Sequence, residues 1–383
     1  MRRAIESREG TRPVSGRSAH VVGLDLRHAG RALAVAVDRQ GRLLGFAAVG
    51  EEPSFEGDSS ATFSVAEAIV LSRQALTALA ARPKSLRVLV GSSLCQVGGW
   101  NGVGPPEAEQ IAEALLDEGH APIAKPAAAS ISLGSDTWWV AQGDEKPFVS
   151  LARALAERAS SEPVFVVDQL LLGCRLAEDS AVAELDTSGF SIATHPVSSP
   201  PVIRSLPVTS GIESAATEIS KTLDMMGLGE GVDVLGPRRE GLREALACRG
   251  VDARTVPLPF CDDRSPDRRS PDATPLPAAL EMAWHLATAE EAHLPTLRGA
   301  RLERQRHSML WARRVTITGL VTAFLSIAFV AYGITASRAN RARGQEIRSE
   351  MARVDEQVRQ LRESADLAQE IRSLRSDPET AEL

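Results

Sequence analysis

Three turns carry the residue types most able to contact a ligand. Each turn follows an apolar run that is typical of a strand: VVGLD, AVAEL and VDVL. The residues at and after the strand ends are Asp25, Asp186, Thr187, Ser188, Gly189 and Gly236. Glycine lets backbone N–H groups approach an anion closely, and an aspartate at a strand end either caps the following turn or contacts a ligand. The sequence alone leaves both roles of Asp25 and Asp186 open.

Other familiar chemistry is absent from the sequence. It contains no G-x-x-x-x-G-K-[ST] loop, no G-x-G-x-x-G motif and no G-x-S-x-G motif. The cysteines form no C-x-x-C pair, so we expect reduced cytosolic thiols and no metal site. They are Cys95, Cys174, Cys248 and Cys261. Aromatic residues make up only 4% of the chain, which argues against a nucleic-acid surface built on stacked rings.

Alternating strand and helix patterns position these turns. The first half begins with a meander of short strands and continues with buried strands separated by amphipathic helices. Its predicted strands are 21–26, 32–38, 43–50, 86–91, 136–142 and 163–168, and its predicted helices are 64–82, 106–118 and 148–158. A strand–turn–strand unit then restarts the pattern at 181–195. It is followed by a strand within 200–211, helix 212–226, strand 232–236 and helix 277–292. This mixture predicts an α/β head.

A charge-free segment follows the head. Residues 315–337 read VTITGLVTAFLSIAFVAYGITAS and contain no ionisable group other than Tyr332. About 20 apolar residues suffice for a helix to cross a hydrocarbon core of roughly 30 Å, so the segment predicts one transmembrane helix. Arginines flank it on both sides and do not set its orientation. Residues 1–19 are basic and polar and lack a signal-peptide core, so we expect a cytoplasmic head and a periplasmic tail in the inner membrane.

The stretch beyond the span has heptad spacing. Apolar residues separated alternately by four and three positions give one continuous seam along a helix. The seam residues are Ile347, Met351, Val354, Val358 and Leu361. We predict a coiled coil over 338–376, formed with a second copy or with another protein. The alternative is a single amphipathic helix that lies on the membrane or in solvent.

The strand–turn–strand units with their aspartates, and the later strand–Gly236 turn, resemble the actin-like (ASKHA) ATPase fold. The head, span and coil together resemble a PilM-type pilus assembly protein fused to the start of a PilN-type partner. They are equally similar to the GspL-type inner-membrane proteins of type II secretion. The runs VIRSLPVTSG and HLPTLRGARLERQRHSML are also similar to those families, and the resemblance covers residues 20–376.

The resemblance implies where a nucleotide would bind. In that fold the two hairpin turns hold phosphates and Mg²⁺ between two lobes, and the third turn holds adenosine. This would place ATP and Mg²⁺ at the six turn residues named above. The first turn here is RHAGR, however, with Arg27 and His28 where the family has glycine and hydroxyl residues, and Pro237 follows Gly236. We therefore expect no nucleotide cofactor and no catalytic residue.

The resulting hypothesis is a scaffold subunit of a type IV pilus or type II secretion platform that links cytoplasmic components to periplasmic partners. Its predicted parts are a tail (1–19), an actin-like head (20–292), a basic neck (293–314), the span (315–337), the coil (338–376) and a tail (377–383). Those relatives usually carry a periplasmic ferredoxin-like domain after the coil, so we expect either that a separate subunit supplies that domain or that this protein works without it. The alternatives are a nucleotide-switched ATPase and a membrane-anchored regulator with an unrelated α/β head.

Overall fold

A computed structural model places most of the chain. It describes residues 19–50, 63–80, 83–91, 93–134, 136–177, 179–186, 189–196, 201–207, 211–228, 231–261 and 274–376. The chain divides into two units, one up to Met309 and one from Leu310 onward.

The first unit holds all the strands and seven of the helices described. The strands are β1 (Val21–Asp25), β2 (Arg31–Val37), β3 (Leu43–Gly50), β4 (Ser85–Val90), β5 (Cys95–Asn101), β6 (Pro126–Ser132), β7 (Thr137–Asp144), β8 (Val164–Val167), β9 (Ser180–Leu185), β10 (Gly189–His195), β11 (Val202–Pro207), β12 (Val232–Leu235), β13 (Ala253–Thr255), β14 (Phe260–Cys261) and β15 (Thr274–Pro275). The helices are α1 (Val65–Ala78), α2 (Ala108–Asp117), α3 (Glu145–Leu155), α4 (Asp168–Gly173), α5 (Ile212–Met226), α6 (Arg239–Ala247), α7 (Glu281–Thr288) and α8 (Ala300–Ser376), the last of which continues into the second unit.

Two five-stranded sheets repeat one topology. The order is β3-β2-β1-β4-β8 in the first lobe and β11-β10-β9-β12-β13 in the second. In each sheet the first three strands in chain order form an antiparallel meander, and the last two run parallel to the first. The first sheet contacts α1 and α7, and the second contacts α5 and α6. The duplication confirms the predicted two-lobed, actin-like α/β head.

Close backbone packing holds α7 against the first sheet. A Cβ atom on Gly23 of β1 would collide with the carbonyl oxygen of Ala283, so glycine permits this approach. Arg87 of β4 is buried, and its Nη1 donates to the carbonyl oxygens of Leu286 and Ala287 at the end of α7, at 3.0 and 3.3 Å. This arginine thereby satisfies carbonyl groups that the helix end leaves unpaired.

A third sheet was not predicted as such. Its order is β5-β7-β6, and α2 packs on it; only β7 was anticipated, as strand 136–142. Strand β5 contains Gly98 and Gly99, and β6 reads PAAASIS, so neither has the β-branched composition that marks a strand. Helix α4 was also missed, because it begins at Asp168 directly after β8 with no loop between them.

The segment predicted as a neck lies against the first lobe at its beginning. Leu297 N–H donates to the Phe165 carbonyl oxygen at 2.9 Å, and the backbones of Arg298 and Ala128 exchange two bonds of 2.8 Å. The buried carboxylate of Glu145 then accepts from the N–H of Arg301, at 2.7 Å, and so caps the start of α8. At the other end of the head, Ala19, which we assigned to the N-terminal tail, is buried.

The second unit is the continuation of α8. Among the described residues, one helix is long and apolar enough to cross a membrane, and the charge-free segment 315–337 lies in it. The apolar side chains there are exposed, as Phe324 (73%) and Phe329 (78%) illustrate. The predicted seam residues from Ile347 to Leu361 are exposed as well. Helix was predicted through residue 376, and α8 ends at Ser376.

Candidate functional site

Carboxylates from both lobes meet where strands of the two sheets end. Asp25 is the last residue of β1, and Asp168 follows β8 in the same sheet. Glu184 belongs to β9 of the second lobe, and Asp186 follows that strand. The carboxyl ends of parallel strands meet at one edge of a sheet, where open α/β sheets form their crevices. The predicted site residues Asp25 and Asp186 are therefore brought to one cleft.

The guanidinium of Arg27 lies among these four carboxylates. Its Nε donates to both carboxylate oxygens of Asp25, at 3.0 and 3.1 Å, and its Nη2 donates to Oδ2 at 2.8 Å. Its Nη1 donates to Oε2 of Glu184, across the cleft, at 2.7 Å. The same Nη1 is 4.0 Å from a carboxylate oxygen of Asp168 and of Asp186. One side chain thus forms ion pairs with both lobes.

Local geometry turns Arg27 inward. The backbone N–H of Arg27 donates to Oδ1 of Asp25 at 3.0 Å, which closes a tight turn directly after β1. The side chain is only 5% exposed, so its charge is stabilised by carboxylates rather than by water. His28 follows in the same turn, with its Nε2 3.9 Å from Oδ2 of Asp186.

The ionisation of this cluster follows from burial and from its single arginine. Burial raises the pKa of Glu184 to about 8 and of Asp168 to about 6, although Arg27 opposes both shifts. Burial also disfavours ionised Asp25, but Arg27 outweighs it and holds the pKa of that carboxyl below its ordinary value. Burial would lower the pKa of Arg27, yet Asp25 and Glu184 raise it well above the usual range. Burial, and then Arg27, lower the pKa of His28.

The second turn satisfies its own backbone. Gly189 N–H donates to Oδ1 of Asp186 at 2.9 Å, and Asp186 N–H donates to the Gly189 carbonyl oxygen at 3.0 Å. Asp186 therefore caps the turn between β9 and β10, and turn capping is one of the two roles that the sequence left open for it. Thr187 and Ser188, which complete this predicted site, lie outside the described residues.

The third turn is occupied by a side chain from α7. Gly236 has φ of +93°, and a Cβ atom there would lie 2.7 Å from the Leu185 carbonyl oxygen, so only glycine fits. Its N–H donates to Oε2 of the fully buried Glu281 at 2.8 Å. Arg239 Nη1 donates to the other oxygen of Glu281 at 3.3 Å and thereby helps to neutralise that carboxylate.

These contacts do not fit a nucleotide. A phosphate site presents free backbone N–H groups to an anion. Here an N–H of each turn is bound by a carboxylate of the chain itself: Arg27 by Asp25, Gly189 by Asp186, and Gly236 by Glu281. An incoming phosphate would also meet the carboxylates around Arg27. Among the described residues, no group of three or more His, Cys, Asp or Glu side chains could hold a metal ion.

Three members of the site were not identified from the sequence. Asp168 directly follows a buried strand, as Asp186 does, so the rule that selected the aspartates at strand ends could have found it. Glu184 is an acid within a run of buried residues, two positions before Asp186, and burial of an acid implies a partner. Glu281 could not have been identified from the sequence, because no pattern in the neighbouring residues indicates that it binds Gly236.

The duplicated sheets and the cleft between them define an actin-like, two-lobed protein. No protein-family model and no curated protein sequence matches this chain. Solved structures similar to it include a protein of unknown function with an actin-like ATPase fold from Bacteroides thetaiotaomicron. The identity is 12%, over 64% of this chain and 94% of that one, with a TM-score of 0.44.

Two further similar structures are of the kinds that the sequence resembles. One is a PilM–PilN type IV pilus biogenesis complex, at 15% identity over 63% of this chain and 89% of that chain, with a TM-score of 0.43. The other is the cytoplasmic domain of EpsL, an inner-membrane component of the type II secretion system of Vibrio cholerae. It is 12% identical over 70% of this chain and 92% of its own, with a TM-score of 0.36.

Proposed function

We propose that this protein is a single-pass inner-membrane scaffold of a type IV pilus or type II secretion platform, and that its actin-like head works without nucleotide. One observation carries the second part: in each of the three turns a carboxylate of the chain binds a backbone N–H group. A nucleotide would have to displace these carboxylates and disrupt the ion pairs of Arg27. The head therefore offers a fixed docking body rather than a switch.

Membrane attachment is supported by the composition and exposure of α8. Its charge-free segment exposes apolar side chains continuously, and such a surface is stable in lipid rather than in water. We place the head in the cytoplasm and residues 338–376 in the periplasm. The choice of a pilus or secretion platform comes from the sequence resemblance.

The periplasmic helix would supply the partner contact. Its seam exposes Ile347, Met351, Val354, Val358 and Leu361, by 42–68% of their surface. Association with a second helix would bury these side chains, each contributing roughly 1.5–3 kcal/mol if fully covered. A platform subunit with a complementary apolar helix, or a second copy of this chain, is the kind of partner we propose.

Co-purification from solubilised membranes tests the scaffold. Replacing Val354, Val358 and Leu361 together by Asp should abolish partner association while the protein still inserts into the membrane. The matched control places three Asp residues on the opposite face of the helix. Its changes are Ser349→Asp, Ala352→Asp and Gln360→Asp. Partners that stay bound to the seam variant, or are lost equally from both variants, would contradict a role for the seam.

Nucleotide titration separates this function from its main rival. The full chain in nanodiscs should show no lobe movement when Mg·ATP is added, as read by hydrogen exchange of β1 and β9. Protection of both strands by Mg·ATP, together with hydrolysis, would support the nucleotide-switched ATPase instead. A chain that binds neither nucleotide nor any platform subunit would favour the membrane-anchored regulator.

A further inference from the structure

An open cavity of about 460 Å³ lies in the cleft beside the carboxylate cluster. Both lobes contribute to its walls. The polar side chains in its walls include those of Gln96, Asp168, Gln169, Glu184, Asp186 and Ser205, and His120 lines it as well. Its volume is in the range of sites that hold small organic groups, and it far exceeds the space a single metal ion needs.

Two acceptor atoms in this cavity wall lack a hydrogen-bond partner within the described part of the chain. One is Oε1 of Glu184, a residue that is 3% exposed, and the other is Oε1 of Gln96. The amide of Gln96 is oriented by its Nε2, which donates to the Ala121 carbonyl oxygen at 3.0 Å. A buried acceptor without a donor costs free energy, so both atoms indicate a missing donor.

Several donors on the same wall are already engaged. Gln169 Nε2 donates to Oγ of Ser205 at 2.7 Å, and the hydroxyls of Ser191 and Ser205 are 2.7 Å apart. The nearest cation, Arg27, directs Nη1 to the other oxygen of Glu184. The cavity wall therefore presents unsatisfied acceptors, while the amide groups of Gln96 and Gln169 donate within the chain; the donors that remain among the described wall residues are His120 and one serine hydroxyl proton.

The charge of the wall selects the ligand further. Asp168, Asp186 and, above its pKa of about 8, Glu184 place negative charge along the cavity, whereas Arg27 is shared among four carboxyl groups. A phosphate or carboxylate ligand would be repelled. A cation rich in donors would satisfy the orphaned oxygens and reduce the excess negative charge. A guanidinium has five N–H donors in a planar fork, which suits several acceptors around one space.

We propose that the interlobe cleft binds the guanidinium of an arginine side chain presented by a partner protein. This inference rests on the proposed scaffold function in one respect, namely that the arginine belongs to a partner protein. The cation-binding site itself follows from the cavity, the two orphaned acceptors and the surrounding carboxylates. It is a site of opposite polarity to one that receives phosphate.

A capped Gly-Arg-Gly tripeptide is a suitable probe, because its citrulline analogue has nearly the same shape without the charge. Ligand-observed NMR on the full chain in nanodiscs should show saturable binding of the arginine peptide. The citrulline peptide should bind at least about tenfold more weakly, since the hydrogen bonds lose their charge assistance. Equal binding of the two peptides would overturn the proposal, and so would no binding of either.

Variants assign the binding to this cleft. At about pH 9, where Glu184 is ionised, Glu184→Gln should weaken arginine-peptide binding about tenfold, and Gln96→Leu should weaken it without any change in charge. Glu109→Gln, on an exposed surface of α2, is the matched control and should bind as the wild type does. Because Glu184 also pairs with Arg27, Gln96→Leu decides the result if Glu184→Gln unfolds the head.

Two competition outcomes would also overturn the proposal. Displacement of the peptide by an excess of Mg²⁺ would show that the cleft is a metal site. Displacement of the peptide by Mg·ATP would show that the cleft binds nucleotide. Neither peptide result depends on membrane orientation or on the seam, so failure here is distinguishable from failure of the co-purification experiment.

Discussion

Replacing Arg27 by Met should destabilise the head more than any exposed arginine change. Met has a similar length and is apolar, so the substitution removes the charge and the donors with little change in volume. It would leave Asp25 and Glu184 buried without their cation, together with Asp168 and Asp186 nearby. Removing one partner of a buried ion pair costs about 3–5 kcal/mol, because the remaining charge stays desolvated.

The cost should depend on pH in a defined direction. Arg27 stabilises ionised carboxylates, so its contribution is lost where they are protonated. Burial already raises the pKa of Asp168 to about 6 and of Glu184 to about 8, and removal of Arg27 raises both further. Asp168 is neutral at pH 5 in both proteins, but above pH 6 it ionises in the wild type while the variant retains its proton. The difference between variant and wild type should therefore be larger at pH 8 than at pH 5, and Glu184 should add to it only above about pH 8.

Thermal unfolding of the full chain in nanodiscs measures this difference. At about 2–4 °C per kcal/mol, a loss of about 3–5 kcal/mol lowers Tm by roughly 6–20 °C at pH 8. Arg243→Met is the matched control, because Arg243 pairs with Glu240 at 3.0 Å on an exposed helix face. Such a pair contributes no more than about 1 kcal/mol. Equal Tm values for the two variants, or a difference that does not shrink at pH 5, would refute the reasoning.

Three further outcomes follow from the same structure. Calorimetry should find Mg·ATP binding no tighter than the high micromolar range, and low-micromolar binding that Asp186→Ala abolishes would revive the ATPase. Protease added outside spheroplasts should trim 338–383 and spare the head; digestion of the head instead would reverse the topology. Burial raises the pKa of Glu162 from 4.5 to about 7, although Arg306 opposes the shift, so the folded chain retains a proton that the unfolded chain releases. Stability should thus fall as pH rises between those values, by at most about 1.4 kcal/mol per pH unit from this group, and Glu162→Gln should lose that part of the slope in urea titrations.

The fold was predictable where strands are buried on both faces. Runs such as LRVLVG and PVFVVD are continuous and apolar, as parallel strands covered by helices must be, and both became strands. Strand β6 was not predictable, because its alanines and serines carry no strand signal and its pairing with β7 arises only in the folded chain. The duplication was visible in the sequence because each lobe repeats the same short meander with an aspartate at its first strand end.

The cleft was predictable in position but not in chemistry. The aspartates at the ends of β1 and β9 marked where the lobes would face each other. The sequence also placed Arg27 in the first turn, where it was expected to obstruct a phosphate. Its actual partners could not be deduced, because Glu184 lies 157 positions away and only the tertiary fold brings it within 2.7 Å. The same applies to Glu281, which binds Gly236 from a distance of 45 positions.

The two properties we assign to the cleft have one physical origin. A nucleotide site needs free backbone donors, which this chain fills with its own carboxylates, and those carboxylates bring negative charge into the cleft. Arg27 neutralises part of that charge and joins the lobes, but one guanidinium shared among four acids leaves acceptors such as Glu184 Oε1 unsatisfied. The arrangement that excludes phosphate therefore also creates the demand for a second cation. Arg27→Met should consequently strengthen binding of the arginine peptide in any variant population that remains folded, whereas a purely structural Arg27 would leave that affinity unchanged.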